Sequence, residues 1–149
     1  MSVSDIAGRS GLQNEQLRKA GLKVTLPRVK ILTLLERSGK RHVSAEDVYK
    51  VLLKNGEEIG LATVYRVLTQ FESAGLVCRH NFEGGQSIFE LDCGRHHDHL
   101  VCAKCGKIVE FVDEIIEKHQ CAIAKQHGFT IQNHSLVIYG LCGSSDCRE

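Results

Sequence analysis

Apolar positions recur at helical spacing through the first half of the chain and then give way to short alternating runs. Pro27 follows Leu26 at what reads as a first helical turn, and Val29, Leu32 and Leu35, widened by Ile31 and Leu34, make one apolar stripe with Arg28 and Lys30 outside it. A second helix is predicted to start at Ser44, whose hydroxyl can cap it while Asp47 sits three residues on. Ala45, Val48, Tyr49 and Leu52 then hold a single face until Asn55-Gly56. A third helix, about residues 61–74, is expected to bury Leu61, Val64, Leu68 and Phe71 and to present Ala62, Tyr65, Arg66 and Thr69. Gly75 stops it. Residues 76–82 read as a strand, Glu83-Gly84-Gly85-Gln86 as a tight turn and residues 87–91 as the return strand, so three helices followed by a hairpin predict a winged helix-turn-helix.

The pattern changes after Leu91. Residues 92–95 read as a hinge between unlike compositions, and residues 100–102, 108–111 and 129–141 as strands around one helix, 113–127, ended by Gly128. The last run carries apolar side chains on both alternating faces, which suits a small module that pairs with a twin. The expected fold class is α+β: a winged helix-turn-helix DNA-binding domain over residues 1–91, a hinge over 92–95 and a small α/β dimerisation and metal-binding domain over 96–149. Such domains are too small to be comfortable alone, and a structural metal or a dimer interface would help the second.

Charge sharpens the division. The net charge is only +1, but residues 1–41 carry nine Lys or Arg against three acids, and residues 92–149 six against eight, which puts a phosphate-seeking surface at the N-terminal end. A helix fits the major groove, so Tyr65 and Arg66 on the outward face of the third helix are the expected base readers, with Lys23, Arg28 and Arg79 on the backbone of double-stranded DNA. No run approaches eighteen apolar residues and no basic-then-apolar leader is visible, so the cytoplasm is the expected location. Seven cysteines, an odd number without an export signal, argue for reduced thiols and metal ligands. Cys78 and Cys121 are expected to be small buried apolar residues, and Cys93 an incidental loop thiol.

The chemistry lies in the second half. Cys102-x-x-Cys105-Gly106 and Cys142-x4-Cys147 form two close pairs that can wrap a tetrahedral structural Zn2+. A redox pair would instead open a helix, whereas here a glycine and the strand-like Lys107–Phe111 follow. His96-His97-Asp98-His99, just upstream, offers donors suited to a borderline divalent metal such as Fe2+, Mn2+, Co2+ or Zn2+. A metallohydrolase could use such a cluster to activate water, but a groove-reading helix has no place in one, and no catalytic residues are assigned.

The strings RHVSAEDVY, GLATVYRVLTQFESAG, HNFEGG, HHDHLVCAKCGKIVEF and the final CGSSDC resemble, in order and spacing, the ferric uptake regulator family, over nearly the whole chain after about Glu15. Residues 1–14 then read as a variable extension. The resemblance implies a homodimeric repressor, or a tetramer of two dimers, that binds AT-rich palindromic operators when Fe2+ fills a regulatory site and releases them when it is empty. It places that site at His42, Glu90, His97, His99 and Glu110, an additional metal at His96, Asp98, Glu117 and His134, and Zn2+ at the four paired cysteines. In the regulatory site Fe2+ is replaceable by Mn2+, Co2+ or Zn2+. The alternative within the family is a zinc- or manganese-responsive regulator. Peroxide sensors of the family have aspartates where this chain has Glu90 and Glu110, and Gln86 stands where close relatives carry a basic residue.

Overall fold

The structure, a computed structural model, describes residues 3–91 and 95–147, with side chains from residue 11 in the first helix. Cys93 and most of the expected hinge lie outside the described residues. The chain divides into two compact units, Met1–Gly94 and Arg95–Glu149, and is mixed α+β.

In the first unit, α1 (Val3–Lys19) precedes α2 (Leu26–Arg37), β1 (His42–Ser44), α3 (Ala45–Lys54), α4 (Leu61–Ser73), β2 (Val77–Asn81) and β3 (Ser87–Leu91). The core follows the predicted stripes: Ile31, Leu32 and Leu35 of α2, Val48 and Leu52 of α3, and Val64, Leu68 and Phe71 of α4 are buried together with Phe89 of β3. Local chemistry fixes the ends. Ser44 Oγ accepts from the Asp47 amide at 3.1 Å while Asp47 Oδ2 accepts from the Ser44 amide at 3.0 Å, a reciprocal cap on α3. Helix α4 ends where Gly75 takes φ +78°, letting the Leu76 amide reach the Phe71 carbonyl at 2.9 Å and the Gly75 amide reach Glu72 at 3.0 Å. The wing pairs β2 with β3 in antiparallel register, as predicted, and adds β1 on the far side of β3, giving the order β1-β3-β2.

Two features differ from expectation here. Residues 3–14, expected only as a variable extension, form most of α1; the helix is docked by Leu17, which is fully buried in the core, and by a Gln13–Glu36 hydrogen bond of 2.7 Å. Cys78 is half-buried on β2 and disulfide-bonded, not an apolar filler with a free thiol.

The second unit is a three-stranded sheet of order β5-β4-β6 with one helix: β4 (Asp98–Cys102), β5 (Ile108–Phe111), α5 (Glu114–Gln126) and β6 (Val137–Gly140). Asp113 caps α5 by accepting from the Ile115 and Ile116 amides. Helix α5 serves as the crossover that brings β6 back parallel to β4. The strand expected over 129–141 is confined to 137–140, because the polar stretch Gln132–Ser135 turns away from the sheet and half-buries His134 beside α5. Cys121 is exposed on α5. Among the described residues of this unit, Val101 and Cys102 are the buried hydrophobics. No helix among the described residues is long and apolar enough to cross a membrane.

Candidate metal centres and nucleic-acid interface

The four paired cysteines converge. The β4–β5 connection is a knuckle: Gly106 takes φ +75° and donates to the Cys102 carbonyl at 2.9 Å, which turns the Cys105 amide toward Cys102 Sγ at 3.5 Å. Residue Gly140 of β6 lies opposite Cys102 in the sheet, so the chain leaving β6 delivers Cys142 to the knuckle, and a turn closed by the Cys147 amide on Ser144 brings in Cys147. The Sγ atoms of Cys102 and Cys147 are 3.6 Å apart and those of Cys105 and Cys142 3.7 Å, with all four within 4.8 Å of one another. A tetrahedron with Zn–S bonds of about 2.3 Å has edges of about 3.8 Å, so the set fits Zn2+. Backbone N–H groups of Cys105, Cys142 and Lys104 lower the Cys102 thiol to about 5, whereas crowding by the thiols of Cys142, Cys105 and Cys102 pushes Cys147 up to about 12. The first thiolate forms easily and the last only with a cation among them.

A second convergence lies in the same unit. His96 Nε2 is 3.2 Å from Asp98 Oδ1 and 3.3 Å from Glu117 Oε1, and His134 Nε2 is 3.6 Å from the same Glu117 oxygen. Asp98 is fully buried, and neither of its oxygens accepts a hydrogen bond; Glu117 Oε1 and His134 Nε2 are also buried without one. Converging buried lone pairs are costly unless a cation meets them, and this N/O donor set suits a borderline divalent metal.

The remaining predicted ligands fall into two half-sets, one per unit. In the first unit His42 of β1 stands directly opposite Glu90 of β3, with Nε2 3.6 Å from Oε2. Glu90 is 0% exposed. Its charge is met by two residues that sequence reasoning had not singled out: His80 of β2, with Nε2 3.0 Å from Oε2, and Arg41, 3.2 Å from Oε1. The His80 ring stacks on Phe82 at 5.6 Å, which fixes its plane. HNFEGG had flagged His80 as part of a motif; only the β2–β3 register shows what it touches. In the second unit His99 of β4 pairs in register with Glu110 of β5, His97 Nε2 lies 3.5 Å from Glu110 Oε1, and the His97 and His99 rings are 4.8 Å apart. His97 Nδ1 is 3.0 Å from the Arg95 carbonyl, a bond that puts the proton on Nδ1 and leaves Nε2 as the donor atom for a metal.

The predicted DNA face is assembled on α4. Tyr65, Arg66, Ala62 and Thr69 are all exposed, as the helical spacing requires. Arg79 of β2 donates to Thr69 Oγ1 at 2.8 Å, pairs with Glu72 at 2.9 Å and lies over the Phe89 ring at 5.0 Å. Arg28 of α2 reaches Gln70 of α4 and the Lys23 carbonyl, so Lys23, Arg28 and Arg79 all border the reading helix. The Tyr65 hydroxyl donates to Glu46 Oε1 at 2.6 Å. That bond is the main reason the Glu46 carboxyl sits below its ordinary value and the Tyr65 phenol above its own. Glu46 is a second contact not foreseen.

A winged helix whose exposed helix face carries Tyr65 and Arg66 and is bordered by Arg28 and Arg79, continued into a unit with convergent metal donors, defines a metal-responsive transcriptional regulator. A model of the ferric uptake regulator family matches residues 19–139, and the chain belongs to that family, as a metal-responsive transcriptional repressor of iron uptake. It is 65% identical over 130 residues to the ferric uptake regulation protein of Legionella pneumophila, covering 87% of this chain and 96% of that one. The Vibrio cholerae ferric uptake regulator, whose structure is described as revealing rearrangement of its DNA-binding domains, superposes with a TM-score of 0.80 at 57% identity, covering 87% of this chain and 98% of that one. The Francisella tularensis regulator determined with iron matches at a TM-score of 0.80 and 46% identity, over 87% and 96% of the two chains.

Proposed function

We propose that the chain is an Fe2+-dependent repressor acting as a homodimer on AT-rich palindromic operators of double-stranded DNA, with one regulatory metal drawing on His42, Glu90, His97, His99 and Glu110. The observation that carries this reading is Glu90: a carboxylate wholly buried in the unit that holds the reading helix, opposite His42 on the neighbouring strand. A metal donor pair has no structural need to be there, since the core of that unit is complete without it. The Francisella relative determined with iron supports Fe2+ as the metal.

Fe2+ supplies, when bound, a dication for imidazole and carboxylate donors. His42 and Glu90 would commit the DNA-binding unit and His97, His99 and Glu110 the other, so one metal drawing on all five would tie the two together. Moving the dimer from mostly released to mostly bound takes about a 100-fold preference for one arrangement, about 3 kcal/mol. Zn2+ on Cys102, Cys105, Cys142 and Cys147 keeps the second unit folded, and the His96, Asp98, Glu117 and His134 set takes a further metal.

The dimer reading has its own support. Leu100 pairs with Val109 on one side and Ile138 on the other, a row across the sheet whose members are 41%, 43% and 42% exposed. An apolar row of this kind is covered economically by its own two-fold copy, which also presents two α4 helices to a palindrome.

The test is anaerobic fluorescence anisotropy of a labelled AT-rich palindromic duplex, at one salt concentration, with protein that keeps its cysteine-bound zinc and is titrated with Fe2+, Mn2+ or Zn2+. Binding that appears with Fe2+ and is lost in the His97→Ala, Glu110→Ala double variant is expected. Binding indifferent to every added metal would overturn the switch.

A further inference from the structure

Between α2 and α3 the first unit holds a cavity of about 710 Å3 that none of the metal donors and no residue of α4 lines. Its floor is apolar, built from Leu34 of α2, Val43 of β1 and Val48 and Val51 of α3. Val51 of α3 is 41% exposed and lines this cavity, so its apolar side chain is open to a ligand there. The rim is basic. Arg37, Lys40 and Lys50 stand around it, and none of the three is ion-paired among the described residues. The rim's two acids are already engaged: Asp47 in the cap of α3, and Glu57 with Lys30.

Small-molecule sites have volumes of about 300–1,000 Å3, an apolar lining and a few convergent polar groups. An apolar floor under four cations against two acids is complementary to an anion with a hydrocarbon body. The head would meet side-chain ammonium and guanidinium groups on flexible stems, not the fan of free backbone amides at a helix start that selects phosphate. The α3 start is already capped by its own Ser44. We propose that this cavity binds a medium-chain carboxylate, its chain lying on Leu34 and Val51 over the buried Val48 and its head held among Arg37, Lys40 and Lys50. Helix α3 packs on α4, so such a ligand would act on the DNA-reading unit by a route separate from the metals.

The test is a methyl NMR titration of the full, metal-loaded chain with sodium octanoate below its micelle concentration, with octyl phosphate and octanol as parallel arms. Saturable shifts at the Leu34, Val48 and Val51 methyls are expected, weakened by about tenfold or more both in octanol and in the Lys40→Glu, Lys50→Glu variant. Both lysines are exposed, so the variant keeps its fold, which circular dichroism checks. No saturable shift by about 5 mM, equal binding of octanol, equal binding by the variant, or shifts confined to the Leu100–Ile138 sheet face would overturn the proposal. Octyl phosphate binding about tenfold tighter than octanoate would overturn the choice of carboxylate.

Discussion

Stripping the cysteine-bound metal should unfold the second unit and leave the first intact. Among the described residues of the second unit the buried hydrophobics are Val101 and Cys102, and with Cys102 read as a metal ligand only Val101 counts, at about 1.5–3 kcal/mol. The first unit buries fourteen residues in one cluster. Structural zinc binding to small cysteine sites supplies about 10–16 kcal/mol at neutral pH, so removing it takes away more than the second unit's whole buried apolar contribution. The loss is also placed where it hurts most, because Cys142 follows β6 directly and Cys102 ends β4, so the metal ties the two strands the crossover must bring together. The assay is hydrogen exchange read by mass spectrometry on chain stripped by a strong chelator under reducing conditions, with zinc content measured, and in parallel on Cys142→Ser. Peptides covering 98–111 and 137–147 are expected to exchange at nearly unprotected rates, while those covering 31–35 and 64–71 stay protected. Zinc-free chain with undiminished protection over 98–111 would refute the reasoning.

Replacing Asp98 by Asn removes a buried anion that accepts no hydrogen bond, so the chain should bind one metal fewer per protomer by Co2+ absorption titration, without a lower melting temperature in the absence of that metal. Phe71, fully buried in the last turn of α4, should cost about 3–5 kcal/mol when replaced by Ala, seen as a lower urea midpoint. Glu46 is held below its ordinary value by the Tyr65 hydroxyl, so its contribution to stability is present above the usual carboxylate range and is lost as pH falls through the depressed value. Glu46→Gln and Tyr65→Phe should therefore both flatten the acid limb of the urea midpoint below about pH 4.5. An identical acid slope in all three proteins would remove this bond from the account.

What the sequence disclosed and what it withheld divide along one physical line. The helical faces of α3 and α4, the cap at Ser44, the stop at Gly75 and the knuckle at Cys102–Gly106 depend on neighbours within a turn or two, and each was legible from spacing. The strand β1 was not, because three residues with little periodicity become a strand only by pairing with β3. His80 and Arg41 were missed for the same reason: their roles depend on which side chains the sheet register sets beside Glu90. The overlong strand predicted over 129–141 shows the converse error. Alternation continued through Gln132–Ser135, but these residues do not pair in the sheet, and His134 instead lies half-buried 3.6 Å from Glu117 of α5. Cys121 was expected inside because small apolar residues usually are, yet α5 buries no residue fully within a single chain.

The partners of Glu90 explain why the two units should differ in their need for metal. A buried carboxylate cannot remain charged without compensation, and in the first unit His80 and Arg41 provide it from within the same sheet and its entry turn. That unit is therefore stable with no cation at Glu90. A metal drawing on Glu90, as proposed above, would compete with a half-buried imidazole and an exposed guanidinium for the carboxylate. The cysteine set has no such substitute. Its fourth thiol is pushed up to about 12 by the other three, so a cation among them would favour the full set of thiolates. Under the proposed assignment the two donor sets therefore differ in whether protein groups already stand beside the ligands, as His80 and Arg41 stand beside Glu90.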